Sequence, residues 1–521
     1  MQRVPVLIIG GSLVGLSASV FLSWRGVKNV VVDKYPGSSP HPRAVGYTEH
    51  TMEFFRAVGL ADRIPQIESH ARLRRLRVES LAGHWIEETH WTPESAAGAR
   101  SAETLSPCRG AAIAQDTLEP LLRARATELG SELQLGVELV DFHQDEGGVV
   151  AQLRERLTGR QYQIRAAYMI AADGAGSSVR ERLGIRRQGR GEIQTLRSVL
   201  FRCAQADEFL RRGYQQFEIE QTDFSAFLTT YHDGRWVLMF KDDRERSEAE
   251  LCSAIRRALG ADMDFEILTS GRWQMAGLVA ERYAEGRVFL AGDAAHQLPP
   301  TRGGFGANTG IDDAYNLAWK LQLVVNGCAA PALLDTYNEE RQPIGWLRHQ
   351  QTFARPDYAR FGAGVADSEP LYSDAAMELG QLLRSTSIVG AGADLPAAAH
   401  PLDWAGQPGV RAPHLWIRRG GERISSVDLF TRNFTLISAD RHWIEAARDV
   451  SRDLGLPIDT LLVGEDIHVD GDLGFEAAFG VTSSGASLVR PDGVVGWRSV
   501  TMVDKPQALL GDALRQMGRL L

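Results

Sequence analysis

Cysteine is scarce in this sequence. Its four cysteines, Cys108, Cys203, Cys252 and Cys328, stand at least 49 positions apart and form no CxxC pair or Cys/His ligand spacing. A redox disulfide and a structural zinc site are therefore unsupported, and no metal site is expected. Long apolar runs are missing as well. No stretch approaches the roughly 18 residues that read as a membrane span, and the N-terminal run 4–11 is too short and lacks a signal-peptide cleavage pattern. A cytoplasmic protein with no membrane partner is the expectation. Positive charge is in deficit, since 57 lysines and arginines against 66 acids leave a formal charge of −9. That balance argues against a nucleic-acid or anionic-membrane surface. Internal repeats and low-complexity tracts are absent too.

What is present is an ordinary globular composition, 44% hydrophobic and 24% charged, with 52 glycines clustered between apolar runs. Its 521 residues exceed the ~250–300 at which one hydrophobic core stops growing, so two or three domains are expected. Residues 4–9 form a β-branched run that meets glycines at once. A helical pattern follows (Leu13, Leu16, Val20, Phe21), Gly26 closes it, and a second apolar run, 30–32, ends in Asp33. Strand, turn, helix and strand within this span predict the βαβ unit of a parallel sheet. Further strands are expected at 168–172, before Asp173-Gly174, and at 287–291, before Gly292-Asp293.

Between these pieces the pattern changes. Residues 198–204, 225–231 and 236–240 are aromatic-rich strand candidates separated by Asp/Gly turns, and 248–259 reads as an amphipathic helix. An inserted, mostly antiparallel sheet is predicted. An Ala/Gly/Pro-rich stretch at 390–413 reads as a linker. Beyond it come a strand (434–438), a helix (443–454), a strand (460–463), a hairpin (486–490 and 494–497 across Pro491-Asp492-Gly493) and a last helix. The fold class is α/β: a Rossmann-like dinucleotide domain from 1–75, 100–180 and 275–350, a sheet domain from 76–99 and 181–274, a helical connector at 351–400 and a small α/β domain at 401–521.

Three constellations carry chemistry. In Gly10-Gly11-Ser12-Leu13-Val14-Gly15, Gly10 supplies a sharp turn out of a strand and Gly15 the close helix–strand packing, so that helix amides meet a pyrophosphate. Ser12 stands where the G-x-G-x-x-G fingerprint has its middle glycine. The pyrophosphate must then sit slightly farther away or accept a hydrogen bond from the Ser12 hydroxyl. Asp33, 18 positions after Gly15, is placed to bind ribose hydroxyls. The second constellation is Ala172-Asp173-Gly174-Ala175-Gly176-Ser177-Ser178-Val179-Arg180, which alone is also compatible with an Asp-Gly turn opening a helix capped by Ser177. The third is Gly292-Asp293-Ala294-Ala295-His296 followed by Pro299-Pro300-Thr301-Arg302-Gly303-Gly304-Phe305-Gly306-Ala307-Asn308-Thr309-Gly310, running into a helix expected at about 312–325. The amino end of that helix carries about half a positive charge.

These blocks, in this order and spacing, resemble the single-component (class A) flavoprotein aromatic hydroxylases, the para-hydroxybenzoate hydroxylase-like group, over residues 1 to about 350. His41-Pro42-Arg43-Ala44 and Gln115-Asp116-Thr117-Leu118-Glu119 look like the group's other FAD-contacting segments. Ser426-Val427-Asp428-Leu429-Phe430 and Gly485-Ala486-Ser487-Leu488-Val489-Arg490-Pro491-Asp492-Gly493 look like the thioredoxin-like domain of its polyketide-acting members, closest to the aklavinone 11-hydroxylase and angucycline hydroxylase group. With every cysteine before residue 330, that domain is expected to pack or to stabilise a dimer rather than perform dithiol chemistry.

The resemblance implies FAD, held by the amides of Ser12, Leu13, Val14 and Gly15 on the pyrophosphate and by Asp33 on the adenosine ribose. Arg43 and Gln115 are implied on the flavin phosphate and ribityl side, and Asp173-Gly174 between FAD and the approach path of NAD(P)H. Asp293 is implied on the ribityl chain, with Gly306, Ala307 and Asn308 along the isoalloxazine edge. Ser12 departs from the group's glycine and Asp33 from its common glutamate. The implied reaction is NAD(P)H reduction of FAD, O2 addition at flavin C4a, and transfer of OH from the hydroperoxide to an electron-rich ring of a polycyclic aromatic substrate. NADPH is preferred as transient co-substrate, and the protein is a monomer or homodimer. No catalytic side chain is strictly demanded, because a phenolate-like substrate activates itself. His296 and Arg302 are candidates to polarise the peroxide or the substrate; for His296 the structural reading, a residue capping its loop, is the preferred one. Phe227, Tyr231, Trp236, Phe240 and Pro299 are candidate substrate contacts, with the proviso that alternate strand positions face opposite ways. A Baeyer–Villiger or oxidative-decarboxylation enzyme on the same scaffold is the alternative, and a non-catalytic FAD-binding assembly protein a remote one.

Overall fold

The apolar run near the N-terminus folds as strand Gln2–Ile9, in which Val6, Leu7 and Ile8 are wholly buried, as a parallel strand covered on both faces requires. The computed structural model describes residues 1–41, 44–67, 74–89, 105–300, 305–355, 358, 361 and 370–518. Gln2–Ile9 lies at the centre of five parallel strands in the order Val288–Leu290, Gln161–Ala171, Gln2–Ile9, Asn29–Asp33, Glu132–Leu135. The chain moves first to one side of the central strand and later to the other. The carboxyl ends of Gln2–Ile9 and Gln161–Ala171 therefore open a crevice at the switch point, where α/β sheets bind ligands. A hairpin, Val137–Asp145 and Gly148–Glu155, extends the sheet antiparallel and carries no signal that sequence reading picked up.

The second sheet has eight strands and contains the long antiparallel pair Arg187–Arg202 and Glu266–Ala280. Arg235–Phe240, Phe224–Thr230 and Gln216–Gln221 follow in antiparallel order, and Arg75–Val78 joins them in parallel. Helix Glu248–Leu259 covers one face. Its start is fixed by a capping box in which Ser247 and Glu250 each bond the other's backbone amide. The far edge of this sheet, His296–Gln297, is the segment that follows Gly292-Asp293, so the two sheets share a loop.

Residues 390–413 are packed and do not form a free linker. Ala398, Val410 and Ala412 are buried, because the stretch is pressed between helix Asp374–Leu379 and the last unit of the chain. That unit has a four-stranded sheet in the order Ile458–Leu462, Phe434–Ser438, Ala486–Val489, Val495–Ser499, with helices Arg441–Leu454 and Pro506–Gly518 on one face. The core under those helices is shared with Trp319 and Leu323 of helix Phe305–Val325, so the unit is fused to the first sheet's layer. No described helix is long and apolar enough to cross a membrane.

A fully buried ion cluster crosses this junction, with Lys320 Nζ 3.0 Å from Glu340 Oε2 and Arg490 and Asp492 beside them. Burial outweighs the attraction of Glu340 and Asp492 and holds the Lys320 ammonium down at about 8, against an ordinary 10.5. Between those values the unfolded chain binds a proton that the folded chain has released, so this residue makes stability rise with pH in that window. Lys320→Met is expected to remove a gain of about 2 kcal/mol between pH 8 and pH 10. Denaturant midpoints of the two proteins across that range check it; parallel curves contradict it.

Candidate functional site

The turn after Gln2–Ile9 is shaped by contacts that only glycine permits. Gly10 has φ +103°, and a Cβ there would lie 2.2 Å from the carbonyl oxygen of Ala172. A Cβ on Gly15 would lie 1.8 Å from the carbonyl oxygen of Gly10. The first and second constellations are thus in backbone contact across the crevice. The third joins them through Val14: Cβ atoms on Gly292 and Gly310 would come within 2.8 and 2.6 Å of its side chain. Asp33 closes the group, its carboxylate accepting the amide of Gly11 at 2.6 Å and that of Tyr35 at 2.7 Å. Gly10, Ser12, Leu13, Val14, Gly15, Asp33, Asp173 and the Gly292-Asp293 turn therefore meet at one crevice.

Helix Leu13–Trp24 presents its amino end there. Its first turn holds no acid, and Ser12, the residue before it, makes no side-chain cap, so the end is electrostatically suited to a phosphate. Ser12 has φ −95°, an extended conformation open to any residue, which is why serine is tolerated at this position. Its hydroxyl donates to Glu119 at 2.5 Å, and Gln115 Nε2 donates to both at 2.9 and 2.8 Å. Glu119 is buried; sequence reading included it in the FAD-contacting segment 115–119 but gave it no role of its own. The signal was its i,i+4 spacing from Gln115, which puts the two on one helix face. Asp173 has one oxygen on the amide of Val179, while its Oδ1 is buried with no partner among the described residues. Burial pushes its carboxyl above the ordinary range. Gly174, Gly176 and Gly306 border open space. A dinucleotide fits this set: a tight glycine cradle, a bare helix end, a carboxylate at a strand end and an orphaned buried acceptor.

Helix Phe305–Val325 begins seven residues before its expected start, so Gly306, Ala307 and Asn308 lie in its first turn rather than in a preceding loop. Tight packing against Val14 and Gly292 overrides the low helix propensity of Gly310. The Asn308 side chain faces the protein, accepting from the amide of Thr48 at 3.1 Å and the hydroxyl of Thr51 at 2.6 Å. His296 is fully buried with Nε2 2.8 Å from Asp313, which also holds Arg341 and the amide of Gly292. Through Asp313 it is linked to the Gly292 turn, while its Nδ1 is buried with no partner among the described residues. Asp313, an acid inside an apolar helix, was not singled out from sequence. Arg43 and Arg302 lie outside the described residues.

The aromatic candidates divide by strand alternation. Trp236 and Phe240 are corrected: both are buried in the core against helix Glu248–Leu259, and the Trp236 indole N–H donates to Asp207 at 2.9 Å. Successive side chains on Arg235–Phe240 point to opposite faces, and these two point away from the crevice. The opposite face carries Leu200, Val237 and Met239, with Phe227 paired to Met239. Tyr231 joins that face against Ala114 and Val45, immediately beside Gln115. Ion pairing of Arg235 with Asp116, 2.5 Å, ties the second sheet to helix Gln115–Glu128 at this corner. His41 also meets the sheet, its Nε2 2.9 Å from Ser198 Oγ. Pro299 is buried, and the next residue, Pro300, accepts the Tyr358 hydroxyl at 2.5 Å.

Comparison with known proteins places this geometry. Residues 3–352 match the family model described as an FAD binding domain, and residues 405–518 match that of the aromatic-ring hydroxylase C-terminal domain. The chain is 37% identical to a 4-methyl-5-nitrocatechol 5-monooxygenase of a Burkholderia species, over 98% of this chain and 97% of that one. It is 38% identical to the tetracenomycin A2 monooxygenase-dioxygenase of Streptomyces glaucescens, over 99% and 97%. A crystal structure of aklavinone-11 hydroxylase with FAD and aklavinone superposes with a TM-score of 0.89 at 33% identity, covering 100% of this chain and 99% of that one.

Proposed function

Because this chain belongs to the FAD-dependent aromatic-ring hydroxylases, we propose that it hydroxylates a polycyclic, polyketide-type phenol with O2 and a transiently bound NAD(P)H, preferably NADPH. The observation that carries this reading is the junction of the two sheets. There the face of the second sheet that carries Leu200, Val237, Met239 and Tyr231 packs against Ala114 and Val45, beside the helix that brings Gln115 to the glycine crevice.

The redox chemistry, hydride uptake from a nicotinamide and activation of O2, is what FAD supplies when bound. The overall balance is substrate, NAD(P)H, a proton and O2 giving hydroxylated substrate, NAD(P)+ and water. The chain's own work is to bind, orient and exclude water. Amides of Ser12 to Gly15 would hold the pyrophosphate, Asp33 the adenosine ribose, Arg43 and Gln115 the phosphate and ribityl side, and Asp293 the ribityl chain. Asp173-Gly174 would border the nicotinamide path, and Gly306, Ala307 and Asn308 the ring edge. The domain limits set out above belong to the same proposal. So does a thioredoxin-like C-terminal unit, which its βαβ-then-ββα order supports.

The two faces of the second sheet make a paired prediction. Met239→Trp, on the crevice face, is expected to lower kcat/KM by about tenfold or more, roughly 1.4 kcal/mol, with little change in Tm. Trp236→Ala, on the core face, is expected to cost about 3–5 kcal/mol of stability while KM stays near the parent value. The opposite assignment of effects would invert the two faces. The function itself is tested by following NADPH oxidation by the FAD-loaded protein with anthracyclinone- and angucyclinone-type phenols under labelled O2. One labelled oxygen on a ring carbon is expected. No stimulation by any such phenol, or label inserted beside a carbonyl, would refute ring hydroxylation.

A further inference from the structure

The turn Arg490-Pro491-Asp492-Gly493 joins strands Ala486–Val489 and Val495–Ser499 of the last unit, yet its side chains are buried in the first sheet's helical layer. Arg490 is fully enclosed and forks onto Glu340 of helix Asp335–Ala354 at 2.8 and 2.9 Å. Asp492 receives the Trp319 indole N–H at 3.0 Å and the Asn316 amide at 3.3 Å, both from helix Phe305–Val325. The Pro491 carbonyl accepts from Arg25 at 2.8 Å. Arg25 is the residue that closes helix Leu13–Trp24, and it also donates to the Thr431 carbonyl at 2.9 Å and to Gln322 at 3.1 Å.

One turn therefore grips the far end of helix Leu13–Trp24 and the middle of helix Phe305–Val325, the two helices whose near ends form the crevice. Helix Leu13–Trp24 spans about 18 Å, and Asn316 stands about 16 Å beyond Phe305 along its helix. Between these ends the helices touch through Phe21 and Tyr315, edge to face at 4.9 Å, and through Val14 and Gly310 at the crevice. Close-packed helices transmit a displacement at one end to the other, because cores do not deform continuously.

We propose that the Arg490–Gly493 turn is a positioning element for the cofactor site, setting the relative placement of the pyrophosphate helix and the helix at the ring edge. This rests on the FAD reading above. A turn that only adds stability would lower Tm and leave cofactor affinity alone, so affinity and flavin spectrum are the deciding readouts.

The test uses the full chain, stripped of FAD and retitrated well below Tm, with folding checked by circular dichroism. Asp492→Asn and Arg25→Gln are compared with Phe475→Leu, whose ring packs in the cluster on the opposite face of the C-terminal sheet, made only of residues from that unit. Both turn variants are expected to raise the FAD Kd about fivefold or more and to shift the flavin absorption band, while Phe475→Leu lowers Tm with Kd unchanged. Should either turn variant fail to fold, the other decides. Unaltered Kd and spectrum in a folded turn variant would overturn the proposal. A parent chain that takes up no FAD would instead overturn the cofactor reading.

Discussion

Gly15→Ala is expected to yield a colourless protein, with FAD affinity lowered about 100-fold or more, which is roughly 2.8 kcal/mol or greater. The reason is a single contact. An alanine Cβ at this position would sit 1.8 Å from the Gly10 carbonyl oxygen, 1.2 Å inside the 3.0 Å limit of real Cβ contacts (3.0 − 1.8). The oxygen cannot withdraw, because Gly10 is itself pressed against Ala172. Relief must come from helix Leu13–Trp24 tilting away from its strand, which carries the amides of Ser12 to Gly15 off the position a pyrophosphate needs. Fluorescence titration of the apo-protein measures the loss. A yellow Gly15→Ala protein with stoichiometric FAD would show that the cofactor lies elsewhere. Gly306→Ala is a contrasting probe, since a Cβ there meets nothing within 4 Å among the described residues. Any effect it has on FAD must come from the bound ring.

Glu340→Ala is expected to be the most destabilising single change in the ion cluster, about 3–5 kcal/mol, because it strips a buried guanidinium and a buried ammonium of their shared partner. Arg490 and Lys320 pair with this carboxylate, and Asn316, Ser385 and Ser387 donate to it at 2.7, 2.7 and 3.1 Å. Burial alone would raise the Glu340 carboxyl. Attraction from Arg490 and Lys320 outweighs that and holds it well below 4.5. A depressed folded value means that the contribution is complete above pH 4.5 and is lost as pH falls through the folded value. Thermal unfolding of parent and Glu340→Gln between pH 7 and pH 3 should therefore converge at the acid end. Curves that stay equally far apart at all pH values would contradict this origin. Replacing Glu340, Lys320, Arg490 and Asp492 together by apolar residues of similar volume is expected to recover most of the loss, since the desolvation cost disappears with the charges.

Much of this molecule was legible beforehand where local chemistry dictates the outcome. The βαβ unit was written in an apolar run, a glycine turn and Asp33. Helix Glu248–Leu259 was read to its end residues because Gly260 stops it. Strand Glu266–Ala280 was missed because its first nine positions are mostly polar and only partly buried, so it shows no apolar alternation. The side on which Trp236 falls depends on register against Phe201 and Thr230, a long-range property. The partners of Glu340 lie up to 150 positions away, and no local pattern announces them. In the crevice the glycines and acids were readable because each satisfies a backbone rule, whereas Glu119 and Asp313 owe their roles to what folds over them.

Val14, wedged between Gly292 and Gly310, ties together three positions separated by almost the whole nucleotide-binding segment. None of them can enlarge alone, so they must drift in concert, and double substitutions among them should be strongly non-additive. Chimeras that exchange the N-terminal portion with that of a relative will retain their pigment only when all three positions travel as one unit.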